Sequence, residues 1–337
     1  MPFHIENNAS LKSLNTFGVE AHCRYLVKLK EPEQIQAILT DSRLVDSPRL
    51  ILGGGSNILF REDFPGTVIL VKTRGTQLLG EDDTNYFVRA AAGKNWHEFV
   101  QFTIDQGWAG LENLSLIPGT VGAAPMQNIG AYGVELEEHF HELTAFDLTT
   151  GKTKSFDRAA CKFGYRDSLF KRQRGRYLIT DVTFKLPKKP EWKLDYAGLR
   201  EMLDESKPLS ARVISNAVCQ LRKHKLPNPA ITGNAGSFFK NPHVSAEQFQ
   251  QLKADFPEIP GWPMSDHAIK VSAAWLIEQC GWKGKRHHDA CVSEKHALVL
   301  VNYGRASGTE IWHLAEAIIH SVEEKFTITL QPEPLVL

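Results

Sequence analysis

Two glycine-rich segments are the first places where this sequence can do chemistry. Gly53, Gly54, Gly55, Ser56 and Asn57 follow an apolar run at 50–52, so a buried strand ends in backbone with almost no side chains. Consecutive glycines permit positive φ and close approach, and their N–H groups can converge on an anion; a tight turn is the plain alternative. The segment has neither the Lys and Ser or Thr of a P-loop nor a GxGxxG opening a helix. The second segment, residues 110–135, holds five glycines and is otherwise mostly small or apolar, which predicts a loop that something packs against. A flat aromatic cofactor with a diphosphate needs two backbone surfaces free of side chains, so the pair of segments points to a dinucleotide. Close packing between elements is the competing reason for the same glycines.

GYRDS at 164–168 sets an aromatic (Tyr165), a fork-shaped cation (Arg166) and a carboxylate (Asp167) side by side. A planar guanidinium suits a substrate carboxylate through two parallel hydrogen bonds. An Arg166–Asp167 surface pair is the commoner use and is worth little. NAGSFFKNP at 234–242 combines turn residues with Ser237, two aromatics and Lys240. No GxSxG elbow marks an acyl-transfer nucleophile, so Ser237 is either a proton donor or a turn-stabilising hydroxyl. HHDAC at 287–291 offers imidazole and thiolate, but adjacent histidines on one strand point to opposite faces, and no metal site is expected. The basic runs 171–176 and 222–225 are solvated faces or local phosphate sites.

The elements that must position these residues follow from periodicity. Apolar runs of strand length at 25–30, 50–52, 67–73 and 86–93 alternate with helical stretches, which suggests α+β or α/β. Trp96, Phe99, Val100, Thr103 and Ile104 recur at helical spacing, with Gly107 as a left-handed stop. Residues 140–148 and 176–187 alternate like antiparallel strands. A helix over 209–225 is closed by LPNP, which marks a domain boundary. Beyond it the pattern predicts a helix at 272–280, a strand at 297–302, a helix over 309–326 with a core stripe of Ile311, Leu314, Ala315, Ile318 and Val322, and a final strand at 327–330. Strand, helix, strand suggests one βαβ-like unit.

Composition bounds the function. A chain of 337 residues gives about two domains as a prior. Lys plus Arg, 39, equals Asp plus Glu, 39, so no global field recruits nucleic acid or a membrane surface. Five cysteines, odd in number and without CxxC spacing, argue for free thiols. Without a signal-like start or about 18 consecutive apolar residues, the expectation is a cytoplasmic protein with a small-molecule partner.

Taken together, NTFG (15–18), GGGSN (53–57), the segment 110–135, GYRDS, KLPNP (225–229), NAGSFFKNP and PEP (332–334) resemble the UDP-N-acetylenolpyruvoylglucosamine reductase family over nearly the whole chain. The resemblance implies an α+β fold: an FAD-binding domain of the vanillyl-alcohol oxidase type over 1–224, in subdomains of about 1–72 and 73–224. A smaller α+β substrate-binding domain over 225–326 would follow, and 327–337 would return to the flavin. It implies FAD, held without a covalent bond on Gly53, Gly54, Gly55, Ser56, Asn57, Ile117, Pro118, Gly119, Thr120, Gly122, Ala123, Ala124 and Gly130, and NADPH as co-substrate. It implies Arg166, Ser237 and Glu333 as catalytic residues and Tyr165, Lys225 and Asn241 as contacts to a UDP-sugar. LDYAGL around Tyr196 resembles the tyrosine loop of the longer form of the family, in which Tyr196 would cover bound substrate. A monomer without membrane insertion is expected, acting in the cytoplasmic stage of bacterial peptidoglycan synthesis. Where the family commonly reads EPE followed by an aliphatic residue, Gln331 here precedes the PEP and Pro334 follows Glu333.

Two other readings stay open on the sequence. A flavin oxidase of the same superfamily would use oxygen as acceptor, and many such oxidases attach FAD through a histidine; residues 53–57 and 116–133 contain none. A nucleotide-binding module without catalysis would have lost Ser237 or Glu333, and both are present.

Overall fold

In a computed structural model of the chain, residues 2–204, 206–265 and 267–337 are described. The chain forms two compact units that are interleaved in sequence. The first comprises the chain up to Ala9, Cys23–Gly55 and Phe64–Lys223; the second comprises Ser10–His22, Ser56–Asp63 and His224–Leu337. The domains expected from the sequence are contiguous stretches and do not anticipate that 10–22 and 56–63 group with the C-terminal part. Turn signals mark where a chain leaves an element, but not which distant backbone a short segment joins. Here the Asn234 N–H donates to the Thr16 carbonyl at 2.9 Å and Asn302 Nδ2 donates to the Phe17 carbonyl at 3.0 Å.

The first unit holds two main sheets. In one, the order is Ile5–Ser10, His22–Leu29, Phe64–Val71, Arg49–Leu52. The last three run parallel, and Phe64–Val71 between its two neighbours is apolar over Val68 to Val71, as a strand covered on both faces must be. In the other, five antiparallel strands lie in the order Lys152–Asp157, Phe140–Asp147, Tyr177–Pro187, Asn85–Ala91, Thr76–Glu81. The helix Trp96–Asp105 packs on this sheet. Asn95 caps it by accepting the Glu98 N–H at 3.0 Å, its apolar stripe is buried, and Trp96 and Phe99 meet Phe184 in tilted ring contacts at 5.8 and 5.0 Å. Gly107 ends it at φ +77° as its spacing predicts. Residues 110–135, expected to be an irregular loop, are built from 3₁₀ pieces at Glu112–Leu114 and Val121–Gln127 and a small hairpin of Gly130–Ala131 with Val134–Glu135.

The second unit carries a four-stranded sheet in the order Gly233–Ser237, Val299–Asn302, Ala290–Val292, Arg286–His287, and a three-stranded sheet of His243–Ser245, Ala268–Val271 and Gly261–Ser265. The helix Gly308–Phe326 buries the Ile311 to Val322 stripe. The strand expected at 327–330 does not form, and with it goes the βαβ-like unit. Thr327 caps the helix in the left-handed region at φ +54°; Ile328 and Leu330 are buried as their alternation implies, yet they join no ladder. The strand lies later, at Leu335–Val336, parallel to Ile58–Leu59. His287 and His288 do not share a strand either, because His288 turns at φ +54°.

Candidate active site

The first unit brings the two glycine segments together. A Cβ on Gly54 would lie 2.8 Å from the Cα of Gly119, and one on Gly53 would lie 2.6 Å from Thr120 Oγ1. At Gly54 backbone therefore faces backbone, and at Gly53 backbone faces the Thr120 hydroxyl, so a side chain fits at neither without a shift. Gly122 closes against Ala92, where a Cβ on Gly122 would lie 2.4 Å from the Cβ of Ala92. The N–H groups of Val121, Gly122 and Ala123 are spent on the carbonyls of Lys94, Ala92 and Thr120. This stretch is thus a wall, and close packing between elements is a sufficient reason for its glycines. Gly54→Ala is expected to destabilise by about 1–3 kcal/mol through overpacking. Thermal unfolding reads it out, with Gly80→Ala, which meets open space, as control; equal midpoints for the two variants would show that the loops part at no cost.

Arg166 sits in a turn at φ +52°, a conformation that costs on the order of 1 kcal/mol for a non-glycine residue and persists where its surroundings hold it. Gly164 and Asp167 exchange backbone hydrogen bonds of 3.1 Å across the turn, Lys171 Nζ donates to the Arg166 carbonyl at 2.9 Å, and Ser168 Oγ donates to the Met126 carbonyl at 2.7 Å. The guanidinium lies over the Tyr165 ring at 5.2 Å, and its Nη2 donates to the Gly130 carbonyl at 2.6 Å. Asp167 pairs with Arg172. Arg166 and Gly130, 36 residues apart, are thereby in one cluster.

Tyr196 is exposed and meets Tyr132 edge-on at 4.8 Å. Tyr132, itself at φ +52°, hydrogen-bonds Arg222, and burial pushes its hydroxyl up to about 12. Burial also lowers Arg222, against the pull of Tyr132. His97 is held below the usual imidazole range by burial and by Arg222, Lys223 and Arg212, and its neutral Nδ1 accepts the Leu116 N–H at 2.9 Å. Leu116 is another left-handed residue, at φ +60°, immediately before Ile117 and Pro118.

In the second unit Ser237 ends a strand whose preceding turn is held by Asn234, which accepts the Gly236 N–H at 3.0 Å and donates to the Thr232 carbonyl at 2.8 Å. The next residue is clamped from both sides. The Phe238 N–H donates to the Leu298 carbonyl at 2.7 Å, and its carbonyl accepts the Glu333 N–H at 2.8 Å. The tail therefore brings Glu333 beside the Ser237–Phe238 backbone, and Pro334 leaves that bond intact. Asn57 Nδ2 donates to the Glu333 carbonyl at 3.4 Å and the Leu335 N–H to the Asn57 carbonyl at 3.0 Å, so the end of the GGGSN motif is tied to the tail. Asn241 Oδ1 accepts the Ala273 N–H at 3.0 Å, at the start of the helix Ala273–Gln279. Lys225 ends the helix Ala211–Lys225; together with burial it holds His296 below the usual imidazole range.

Sequence reasoning passed over His97, Tyr132, Arg222 as an individual residue, and Glu135 beside Arg166. His97 lies off the apolar stripe of its helix, and that departure was the signal available for it. Glu135 carried none, because a carboxylate in a loop reads as solvated until its cation is known.

The comparisons with known proteins bear on the whole chain. A family model described as UDP-N-acetylenolpyruvoylglucosamine reductase, C-terminal domain, matches residues 228–337, and one described as FAD binding domain matches residues 23–157. The chain is 47% identical to UDP-N-acetylenolpyruvoylglucosamine reductase of Burkholderia vietnamiensis, covering 100% of this chain and 98% of the relative. To the protein of the same name from Azoarcus sp. it is 49% identical, over 99% and 98%. The crystal structure of UDP-N-acetylenolpyruvylglucosamine reductase from Thermus caldophilus matches with a TM-score of 0.69 at 25% identity, over 100% and 99% of the two chains. A 4-ethylphenol oxidase from Gulosibacter chungangensis, at 12% identity and a TM-score of 0.50, shares the fold alone. The fold is α+β, with the FAD binding domain model over 23–157 and the reductase C-terminal domain model over 228–337. On the strength of this near-complete, two-sided coverage, the chain belongs to the UDP-N-acetylenolpyruvoylglucosamine reductase family.

Proposed function

We propose that this chain reduces UDP-N-acetylglucosamine enolpyruvate to UDP-N-acetylmuramate in peptidoglycan precursor synthesis, with NADPH as co-substrate and FAD held without a covalent bond. FAD, when bound, supplies the transfer of hydride from NADPH to the terminal vinyl carbon of the substrate. The glycine wall fits such a group, since Gly54 brings its backbone against that of Gly119 where a Cβ would lie 2.8 Å from the Gly119 Cα, and the N–H groups of 53–57 are the donors we assign to its diphosphate. Gly130 and residues 117–124 would complete that surface.

The protein's own task is charge. As the vinyl carbon gains hydride, negative charge grows next to the substrate carboxylate, as an enolate. Arg166 faces that carboxylate, and Glu333, as a neutral acid, donates to the developing oxyanion; groups fixed where charge develops are often the largest catalytic term. Ser237 Oγ then gives its proton to the neighbouring carbon. A hydroxyl is a weak acid, so this works because the carbanion is far more basic and the donor is held within reach. Tyr165, Lys225 and Asn241 hold the nucleotide sugar, and Tyr196 covers it. The reading places the enzyme in the cytoplasm as a monomer, on a step that wall growth, cell shape and division require.

The observation that carries this reading is the 47% identity across the whole chain to a protein of that name. The purified protein should be yellow, release its flavin on acid precipitation, lose colour with NADPH under anaerobic conditions, and recover it on adding the enolpyruvyl substrate. Colour that returns with oxygen but not with that substrate would replace the reductase by an oxidase.

A further inference from the structure

Arg166 does not stand alone in its turn. Its Nη1 lies 3.8 Å from Glu135 Oε1, and the two side chains are only 19% and 34% exposed, so water screens the pair poorly. A Cβ on Gly130 would meet Arg166 Nη1 at 2.9 Å and Glu135 Cγ at 3.0 Å, so this glycine is what lets the two side chains close over the backbone. Glu135 is itself fixed from two directions. Its Oε2 accepts Asn128 Nδ2 at 2.9 Å, and its side chain caps the 3₁₀ turn Leu136–Glu138 in a reciprocal capping box with Glu138. Asn128 is fully buried at φ +44°. Its Oδ1 accepts the Glu137 N–H at 3.0 Å, and its Nδ2 also reaches the Gly164 carbonyl at 3.3 Å, two residues before Arg166. One amide thus ties the segment carrying the carboxylate to the turn carrying the cation.

We propose that Glu135 is the positioning residue of Arg166, holding the guanidinium in place before the substrate carboxylate arrives, with Asn128 holding Glu135. The assignment rests on the reading of Arg166 given above. A long cation on a left-handed turn would otherwise have several rotamers, and a displacement of about 1 Å at a reacting centre costs on the order of 10²-fold in rate. The arrangement is also sensitive to pH. Burial raises the Glu135 carboxyl above the ordinary glutamate range, with Glu137 and Glu138 pushing the same way and Arg166 and the Asn128 hydrogen bond opposing; Arg158 in turn pairs with Glu137. The carboxylate that holds Arg166 is present above that raised value and is lost as pH falls through it.

Glu135→Gln keeps an acceptor for Asn128 and for the cap but removes the charge. In the holoenzyme it should lower kcat for the enolpyruvyl substrate about 10- to 100-fold, while calorimetric affinity of the oxidised holoenzyme for that substrate changes less than about threefold. The acid limb of the wild-type kcat profile should disappear. A profile and kcat equal to wild type, or kcat, affinity and flavin content falling together, would overturn the assignment. Should the Gln variant lose its flavin, Glu135→Asp decides: it keeps the carboxylate and suits an N-cap, so the acid limb must persist with kcat within about tenfold of wild type, and loss of the limb there overturns the assignment. If wild type itself fails to reduce the enolpyruvyl substrate, the reading of the reaction has failed; if wild type succeeds and Glu135→Gln matches it at every pH, the assignment of Glu135 alone has failed.

Discussion

Ser237→Ala should leave anaerobic bleaching by NADPH within a small factor of wild type and slow recovery of colour with the enolpyruvyl substrate by about 10²- to 10⁴-fold, the usual cost of losing a positioned general acid. The two half-reactions are measured one at a time, which is what makes the variant informative. The first requires no proton from Ser237, whereas the second ends with protonation of a carbanion. The substitution is also structurally mild. The turn before Ser237 is held by Asn234, and the following residue by Leu298 and Glu333, all through bonds that an alanine at 237 leaves in place. A fall in both half-reactions together would return Ser237 to the role of a hydroxyl that holds the fold or the flavin.

Glu333→Ala is expected to lower turnover of the enolpyruvyl substrate by about 10²- to 10³-fold, as loss of one donor to a developing oxyanion does. Removing the whole tail would be a poorer test. Residues at a chain end fray unless tied down, and this tail is tied: Leu335–Val336 pairs with Ile58–Leu59, the Leu337 N–H donates to the Leu59 carbonyl at 3.0 Å, and the Leu337 carbonyl accepts the Arg61 N–H at 2.6 Å. Deleting it would strip backbone partners from the segment that begins at Ser56. The point variant removes the carboxyl and keeps the backbone bond to Phe238. Glu333→Gln, which retains an amide donor, should lie between alanine and wild type. Undiminished turnover in Glu333→Ala would exclude the carboxylate from the reaction.

Much of this protein is legible from residue order alone. The helices Trp96–Asp105, Ala211–Lys225, Ala273–Gln279 and Gly308–Phe326 fall where 3.6-residue periodicity and their stop residues put them, and the antiparallel strands Phe140–Asp147 and Tyr177–Pro187 where alternation does. These are local properties, decided within a dozen residues by which side chains seek burial. The glycine segments, Arg166 and Ser237 are likewise singled out as candidates by residue type and motif, and Glu333 by the family resemblance.

What the tertiary structure alone decided is partnership at long range. Alternation at 327–330 suits a strand, and the alternating residues Ile328 and Leu330 are buried; but a strand is a pairing, and among the described residues no ladder forms there. The pairing falls instead to two residues, Leu335 and Val336, too few to show any period, beside a partner 277 positions earlier in register. Gly53 and Gly54 are glycines because Gly119 and Thr120 come within a Cβ's reach, and Asn128 is an asparagine whose amide meets Glu135, Glu137 and Gly164 at once. Hydrogen bonds and close approaches of this kind are short-ranged in space and indifferent to separation along the chain, so residue order carries their donors and acceptors without saying which will meet.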